Sequence, residues 1–78
     1  LVICISSSGQ SKNIINGAKF AKKIGCKVVT LTGFNKDNKV RKIGHINLWL
    51  DSKNYNLVEM THHIWLLAIV DFIARAKY

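Results

Sequence analysis

The chain has 78 residues, of which 49% are hydrophobic, and its 12 Lys and Arg side chains outnumber four Asp and Glu to give a formal charge of +8. This length allows one small domain at most and excludes a chain of several domains. The lysines are spread over predicted helices and loops with no aromatic residues between them, so the charge alone does not indicate a nucleic-acid interface. It predicts a general attraction for anions, phosphorylated substrates included.

The apolar content is high for a free-standing protein of this size, because a chain this short buries only about 60% of its unfolded surface. Several segments have the composition of elements that are buried on both sides, and the chain opens inside an apolar run. We therefore expect residues 1–78 to be part of a larger protein, or to depend on a partner that covers the sheet.

The cysteines and the longest apolar run indicate a cytoplasmic protein. Cys4 and Cys26 lie in or beside apolar runs without the Cys-x-x-Cys spacing of a metal site, so we expect buried free thiols in a reducing compartment. The longest uninterrupted apolar run, residues 64–70, is far shorter than the roughly 20 residues that cross a bilayer. No contact with a membrane is predicted.

The first half of the chain has the pattern of a strand, a helix and a second strand. Residues 1–5 do not alternate in polarity and predict a strand buried on both faces. Apolar residues then recur at helical spacing from Ser11 to about Ile24, and Gly25 suits the position that ends a helix. Residues 27–32 are rich in β-branched side chains and predict the second strand.

The second half continues this alternation. Residues 34–44 predict a polar connection with one helical turn near 38–43, and residues 45–50 alternate in polarity as an edge or half-exposed strand does. A long, strongly apolar helix over about 56–76 is expected to be buried against a partner. Strands alternating with helices predict an α/β fold whose parallel sheet has right-handed crossovers.

A serine-rich loop follows the first strand directly. The hydroxyls of Ser6, Ser7, Ser8 and Ser11 converge with backbone N–H groups around Gly9 at the start of a helix, whose dipole favours an anion. The loop lacks the spacing of nucleotide-binding glycine motifs, which favours a single phosphate such as that of a sugar phosphate. The alternative is a serine-rich turn in which Ser11 is an ordinary helix N-cap. Ligands bind beyond the carboxyl ends of parallel strands, where this loop lies, and this favours the phosphate.

Residues 5–13 and 18–33 together resemble the second half of a sugar isomerase (SIS) domain, and the phosphoheptose isomerases are the most similar members. The family pattern here is Ile-Ser-Thr-Ser-Gly-Asn-Ser, a helix and an Ala-Leu-Thr-Gly strand. The resemblance implies a three-layer α/β sandwich around a five-stranded parallel sheet. Residues 1–78 would form a partial SIS domain with three of these strands, and the N-terminal half with its own Gly-Gly-Ser loop would be missing.

The resemblance also implies a function. In the family the Ser/Thr loop holds the substrate phosphate, which assigns phosphate binding to Ser6, Ser7, Ser8, Gly9 and Ser11. The phosphoheptose isomerases interconvert sedoheptulose 7-phosphate and a heptose phosphate for cell-envelope (lipopolysaccharide) sugars, commonly as homotetramers. The implied partners are therefore a phosphorylated sugar and further copies of the chain. A non-catalytic SIS module that binds a phosphosugar and regulates a partner is the alternative, and a nucleic-acid-binding domain rests on charge alone.

The last helix departs from the family pattern. Phosphoheptose isomerases tend to carry Gln-Glu-x-His and a later His, and in some members the Gln and the later His bind a metal ion, commonly zinc. Aligning on Glu59 places Val58 and Leu66 at these two positions. Neither side chain can ligate a metal, so we predict no metal site of this kind and no other cofactor.

Isomerisation between an aldose and a ketose needs a base and an acid, and the last helix offers three candidates. Glu59 is three residues before His62 and four before His63, so either pair can share a helix face. Neighbouring histidines point about 100° apart on a helix, so we expect only one of them to face a site. The alternative is that Glu59 is a first-turn carboxylate and the histidines are interface residues.

Overall fold

A computed structural model of the chain describes residues 1–77. Its elements in chain order are β1 (Val2–Ser6), α1 (Lys12–Lys23), β2 (Val28–Thr32), β3 (Ile46–Trp49) and α2 (Tyr55–Lys77). The three strands form one parallel sheet in the order β1-β2-β3. The predicted α/β class with a parallel sheet is confirmed.

The register of the sheet brings the ends of all three strands to one edge. Ser6 of β1 lies opposite Thr32 of β2, and Thr32 lies opposite Trp49 of β3. The serine-rich loop leaves β1 at this edge, and the loop that leads to α2 leaves β3 at the same edge. This is the carboxyl edge, where parallel sheets bind ligands.

The central strand is the most buried element. Every residue of β2 is buried, in agreement with its β-branched composition. In β1 only Cys4 and Ser6 are buried, and Ile5 is 39% exposed. The prediction that the first strand is buried on both faces is therefore wrong for residues 1–77, because α1 packs on the face that carries Cys4, and the face that carries Ile5 has no comparable cover within these residues.

The core of the chain lies between α1 and the sheet. Ala18 and Ala21 face Cys4 and Val28, and these four side chains form one buried cluster. Small alanines let the helix approach the strands closely. The helix ends as predicted before Gly25, whose φ of 90° is the left-handed conformation that favours glycine.

The connection between β2 and β3 forms hydrogen-bonded turns over residues 39–43. The N–H of Ile43 is donated to the carbonyl oxygen of Val40, three residues earlier, so a tight turn stands where one helical turn near 38–43 was predicted. The Oδ1 of Asn38 accepts the backbone N–H of Arg41 at 2.8 Å, as an N-cap side chain does at the start of such a turn. Asn38 and Val40 are both completely buried, so this polar connection is an integral part of the fold.

The second helix is anchored only near its start. Val58 and His62 are its buried residues, and the turns that follow leave apolar side chains in solvent. The large exposed apolar side chains of α2 include Leu57, Met60, Ile64, Leu67, Val70, Phe72 and Ile73. By length and composition alone, the 22 residues Tyr55–Ala76 suffice to cross a membrane, although core helices pass the same test. The length argument against a membrane segment, made from residues 64–70, thus does not hold for the whole helix.

Candidate functional site

A cavity of about 370 Å³ lies at the carboxyl edge of the sheet, between the serine-rich loop and the first turns of α2. The residues that line it are Ile5, Ser6, Ser7, Ser11, Ile14, Tyr55, Glu59, His62, His63 and Leu66. Six of the eight site residues predicted from the sequence line this cavity. Of the predicted set, Ser8 and Gly9 do not line it.

Local hydrogen bonds shape the serine-rich loop. The N–H of Gly9 is donated to the carbonyl oxygen of Ser6 at 3.2 Å and to the Oγ of Ser6 at 3.1 Å. The N–H of Gln10 is donated to the Oγ of Ser8 at 3.2 Å. Because both hydroxyls accept in these bonds, each keeps its own O–H as a donor. Gly9 adopts a φ of 67°, which closes this tight turn.

Ser11 occupies the N-cap position of α1 but does not cap the helix with its side chain. Its backbone is extended, and its hydroxyl makes no hydrogen bond to the first turn. The hydroxyl lines the cavity instead. The first turn of α1 contains no acidic residue, so the positive end of the helix dipole is left without a compensating carboxylate. An ordinary N-cap role therefore does not account for the side chain of Ser11.

One face of α2 forms the opposite wall of the cavity. Tyr55, Glu59 and His63 follow one another at four-residue spacing and share this face. The pKa of Tyr55 is raised above its ordinary value, because its phenol shares a hydrogen bond with the Glu59 side chain and lies near that negative charge. The sequence placed Tyr55 in a loop at the ligand-binding edge but assigned it no role, although its position four residues before Glu59 was the available signal.

The two neighbouring histidines differ in their surroundings, although both line the cavity. His62 is 2% exposed, and its Nε2 lies 2.9 Å from the carbonyl oxygen of Thr32. A carbonyl only accepts, so Nε2 is the nitrogen that carries the proton, and the buried Nδ1 has no partner within residues 1–77. His63 is exposed. The expectation that only one histidine faces the site is wrong, but only His63 is open to solvent.

Val58 and Leu66, which stand at the metal-ligand positions of the family, make packing contacts in this chain. Val58 is completely buried against Gly33, where an added Cβ would lie 2.7 Å from a Val58 methyl group. Leu66 gives the cavity an apolar wall. Within residues 1–77, no three His, Cys, Asp or Glu side chains are grouped as ligands of one ion. Neither Val58 nor Leu66 offers a donor atom to a metal ion.

Three curated proteins are similar to this chain over most of its length. A phosphoheptose isomerase of Aliarcobacter butzleri is 36% identical over 73 residues, which are 94% of this chain and 38% of that protein. The chain resembles one part of a phosphoheptose isomerase. Probable phosphoheptose isomerases of Thermoplasma volcanium and Thermoplasma acidophilum are 33% and 36% identical over 61 and 62 residues. These matches cover 78% and 80% of this chain, and 31% and 34% of the two archaeal proteins.

The resemblance to phosphoheptose isomerases inferred from the sequence is thereby confirmed. The chain spans about a third of the length of the curated relatives it matches. No family model and no solved structure matches the chain.

Proposed function

We propose that the protein to which this chain belongs is a sugar-phosphate isomerase of the phosphoheptose isomerase type, built on an SIS domain. The observation that carries the proposal is the single cavity in which Ser6, Ser7 and Ser11 lie opposite Glu59 and His63. An anion-binding loop faces acid–base groups across a space that suits a small phosphorylated molecule. The similarity to phosphoheptose isomerases supports the same reaction class.

In this proposal the phosphate binds at the N-terminal end of α1. Hydroxyls of Ser6, Ser7 and Ser11 donate to its oxygens, and the helix dipole stabilises its charge. Ser8 and Gly9 act indirectly, since their hydrogen bonds and backbone conformation shape the loop. The positively charged chain attracts such a ligand from solution.

The other end of the sugar would lie against α2. The carboxylate of Glu59 removes the proton from the carbon next to the carbonyl, and the carbonyl oxygen takes up a proton to give an enediol. Return of the proton to the neighbouring carbon completes the isomerisation. His63 moves protons between the two oxygens, because it shares the helix face of Glu59 and an imidazole can both take up and release a proton. His62 holds α2 on the end of β2 through Thr32 and positions both groups.

A second candidate is a non-catalytic module that binds a phosphosugar and regulates a partner. The observation in its favour is that Val58 and Leu66 stand where the family has metal ligands. This candidate keeps the phosphate site and gives Glu59 and His63 no catalytic role. Turnover by the full-length protein separates it from the isomerase.

The setting of the enzyme is also part of the proposal. We expect a cytoplasmic homo-oligomer, by analogy a tetramer, that acts on a phosphorylated sugar of cell-envelope biosynthesis. The exposed apolar side chains of α2 support an oligomer, because solvated apolar surface of this extent is characteristic of interfaces. A membrane and nucleic acid are not among the proposed partners.

Binding of inorganic phosphate and sedoheptulose 7-phosphate to the full-length protein tests the phosphate site. We expect Ser7→Ala combined with Ser11→Ala to weaken binding by about 1–3 kcal/mol, since two donors to a charged group are lost. Ser8→Ala is the matched control, and its effect should be smaller because Ser8 does not line the cavity. Unchanged affinity in the double variant would show that the phosphate does not bind to this loop.

A further inference from the structure

The side chain of Asn38 is a buried polar group next to the serine-rich loop. It is completely buried in the connection between β2 and β3. Its Nδ2 lies 3.0 Å from the Oγ1 of Thr32, 3.2 Å from the carbonyl oxygen of Gly33 and 2.9 Å from that of Asn35. Its Oδ1 accepts the N–H of Arg41. The Nδ2 donor group and the Oδ1 acceptor of this amide therefore both make hydrogen bonds, as a buried polar side chain requires.

The same side chain is packed directly against the serine-rich loop. A Cβ added to Gly9 would overlap the amide of Asn38 and lie 2.6 Å from its Cβ. Beside this contact, the N–H of Val40 is donated to the carbonyl oxygen of Gly9 at 3.0 Å. Residues 38 and 40 therefore hold the loop at Gly9, the one residue of the turn whose φ is positive.

These contacts link two segments that are far apart in the sequence. The remaining hydrogen bonds of the loop are local, from Gly9 to Ser6 and from Gln10 to Ser8. Local bonds of this kind form in many turn conformations, whereas contacts with a rigid, buried neighbour select one of them. A loop fixed in one conformation binds its ligand with a smaller loss of entropy.

We infer that Asn38 is a positioning residue for the phosphate site: it fixes the conformation of the serine-rich loop through Gly9 without touching the ligand. The inference rests on the proposed function, because it assumes that this loop binds phosphate. Asn38 connects the end of β2 with the loop after β1, and so sets the spacing between the serine hydroxyls and the sheet edge.

Asn38→Asp is the sharpest test, because it keeps the size of the side chain and removes the two Nδ2 donors. Its carboxylate would repel the carbonyl oxygens of Gly33 and Asn35 and add negative charge beside the loop. We expect the dissociation constant for inorganic phosphate to rise about tenfold or more. The KM for the sugar phosphate should rise with it, and kcat should change less.

Asn35→Asp is the matched control, since it makes the same chemical change at an exposed position of the same connection. It should change the phosphate affinity less than about twofold. The full-length wild type and both variants are compared by calorimetric titration, after circular dichroism has shown that each is folded.

A second pair of variants tests the contact with Gly9 even if Asn38→Asp fails to fold. Gly9→Ala places a methyl group against the Asn38 amide and should weaken phosphate binding. Adding Asn38→Gly removes the three side-chain atoms that this methyl group would meet, so the loss in the double variant should be smaller than the product of the two single losses.

The outcomes separate this inference from the proposed function. Wild-type protein that binds neither inorganic phosphate nor sedoheptulose 7-phosphate overturns both. Wild-type binding with an unchanged affinity in Asn38→Asp, or strictly additive losses for Gly9→Ala and Asn38→Gly, overturns the role of Asn38 alone. A tenfold loss in Asn38→Asp with no loss in Asn35→Asp supports it.

Discussion

The two helices of this chain are stabilised in different ways. α1 has 12 residues and packs Ala18 and Ala21 on the sheet, while its lysines face solvent. α2 has 23 residues, yet its buried residues are Val58 and His62, both in its first turns. Its later turns expose large apolar side chains such as Leu67, at 69%, and Phe72, at 73%.

Contacts within the chain stabilise the sheet, α1 and the first turns of α2. The later turns of α2 have to be covered by other protein surface. α1 and the sheet bury each other, and the serine-rich loop between them is fixed by contacts within the chain. The first turns of α2 are held by Val58 against Gly33 and by His62 against Thr32, and they carry Glu59 and His63 to the cavity. The later turns have the composition of an interface and find no partner within residues 1–77.

The largest expected effect comes from substituting one leucine in each region of the full-length protein. Leu31 of β2 is completely buried, so Leu31→Ala should lower the free energy of unfolding by about 2–5 kcal/mol. Leu67→Ala should also lower the free energy of unfolding by about 2 kcal/mol, because we expect other protein surface to cover Leu67 in the full-length protein. Chemical denaturation of the wild type and both variants measures the two losses.

The dependence of these two losses on protein concentration shows whether other copies of the protein cover Leu67. If further copies of the protein cover Leu67, its cost should grow with protein concentration, whereas that of Leu31→Ala in the core should not. A cost below about 0.5 kcal/mol for Leu67→Ala would show that the later turns of α2 are solvated in the whole protein, against our expectation.

A smaller effect distinguishes the two histidines at the start of α2. His62→Ala removes a buried hydrogen bond to Thr32 and should lower the stability of the fold by about 1–3 kcal/mol. His63→Ala, at an exposed position, should change stability by less than about 0.5 kcal/mol and reduce turnover instead. Thermal unfolding and initial rates of both variants check this division, and equal losses of stability would refute it.

Local pattern predicted most of the fold. The β-branched run of β2, the helical spacing of apolar residues in α1 and the stop at Gly25 each encode their structure in neighbouring residues, and the three elements form where they were predicted. The exposure of Ile5 was not predictable, because it depends on which element packs on that face of β1. The bounds of α2 were predicted closely, and its apolar composition led to the expectation that a partner buries it.

Contacts between distant segments set the limit of sequence reasoning at the site. The serines and Glu59 were recognised as types of residue that bind or catalyse, but their common cavity follows from the register of the sheet. Asn38 was read as part of a polar connection, since nothing near it in the sequence marks its contact with Gly9. The division between His62 and His63 depends likewise on Thr32, 30 residues away from His62.

The central claim is that Glu59 acts as the base opposite a phosphate held by the serine-rich loop. The most direct measurement is the rate at which the full-length protein isomerises sedoheptulose 7-phosphate, with and without a chelator, in the wild type and in Glu59→Gln. We predict turnover that resists the chelator and falls about 10²- to 10⁴-fold in Glu59→Gln. Wild-type protein that binds the sugar phosphate without turning it over, or Glu59→Gln with the full wild-type rate, would contradict the account.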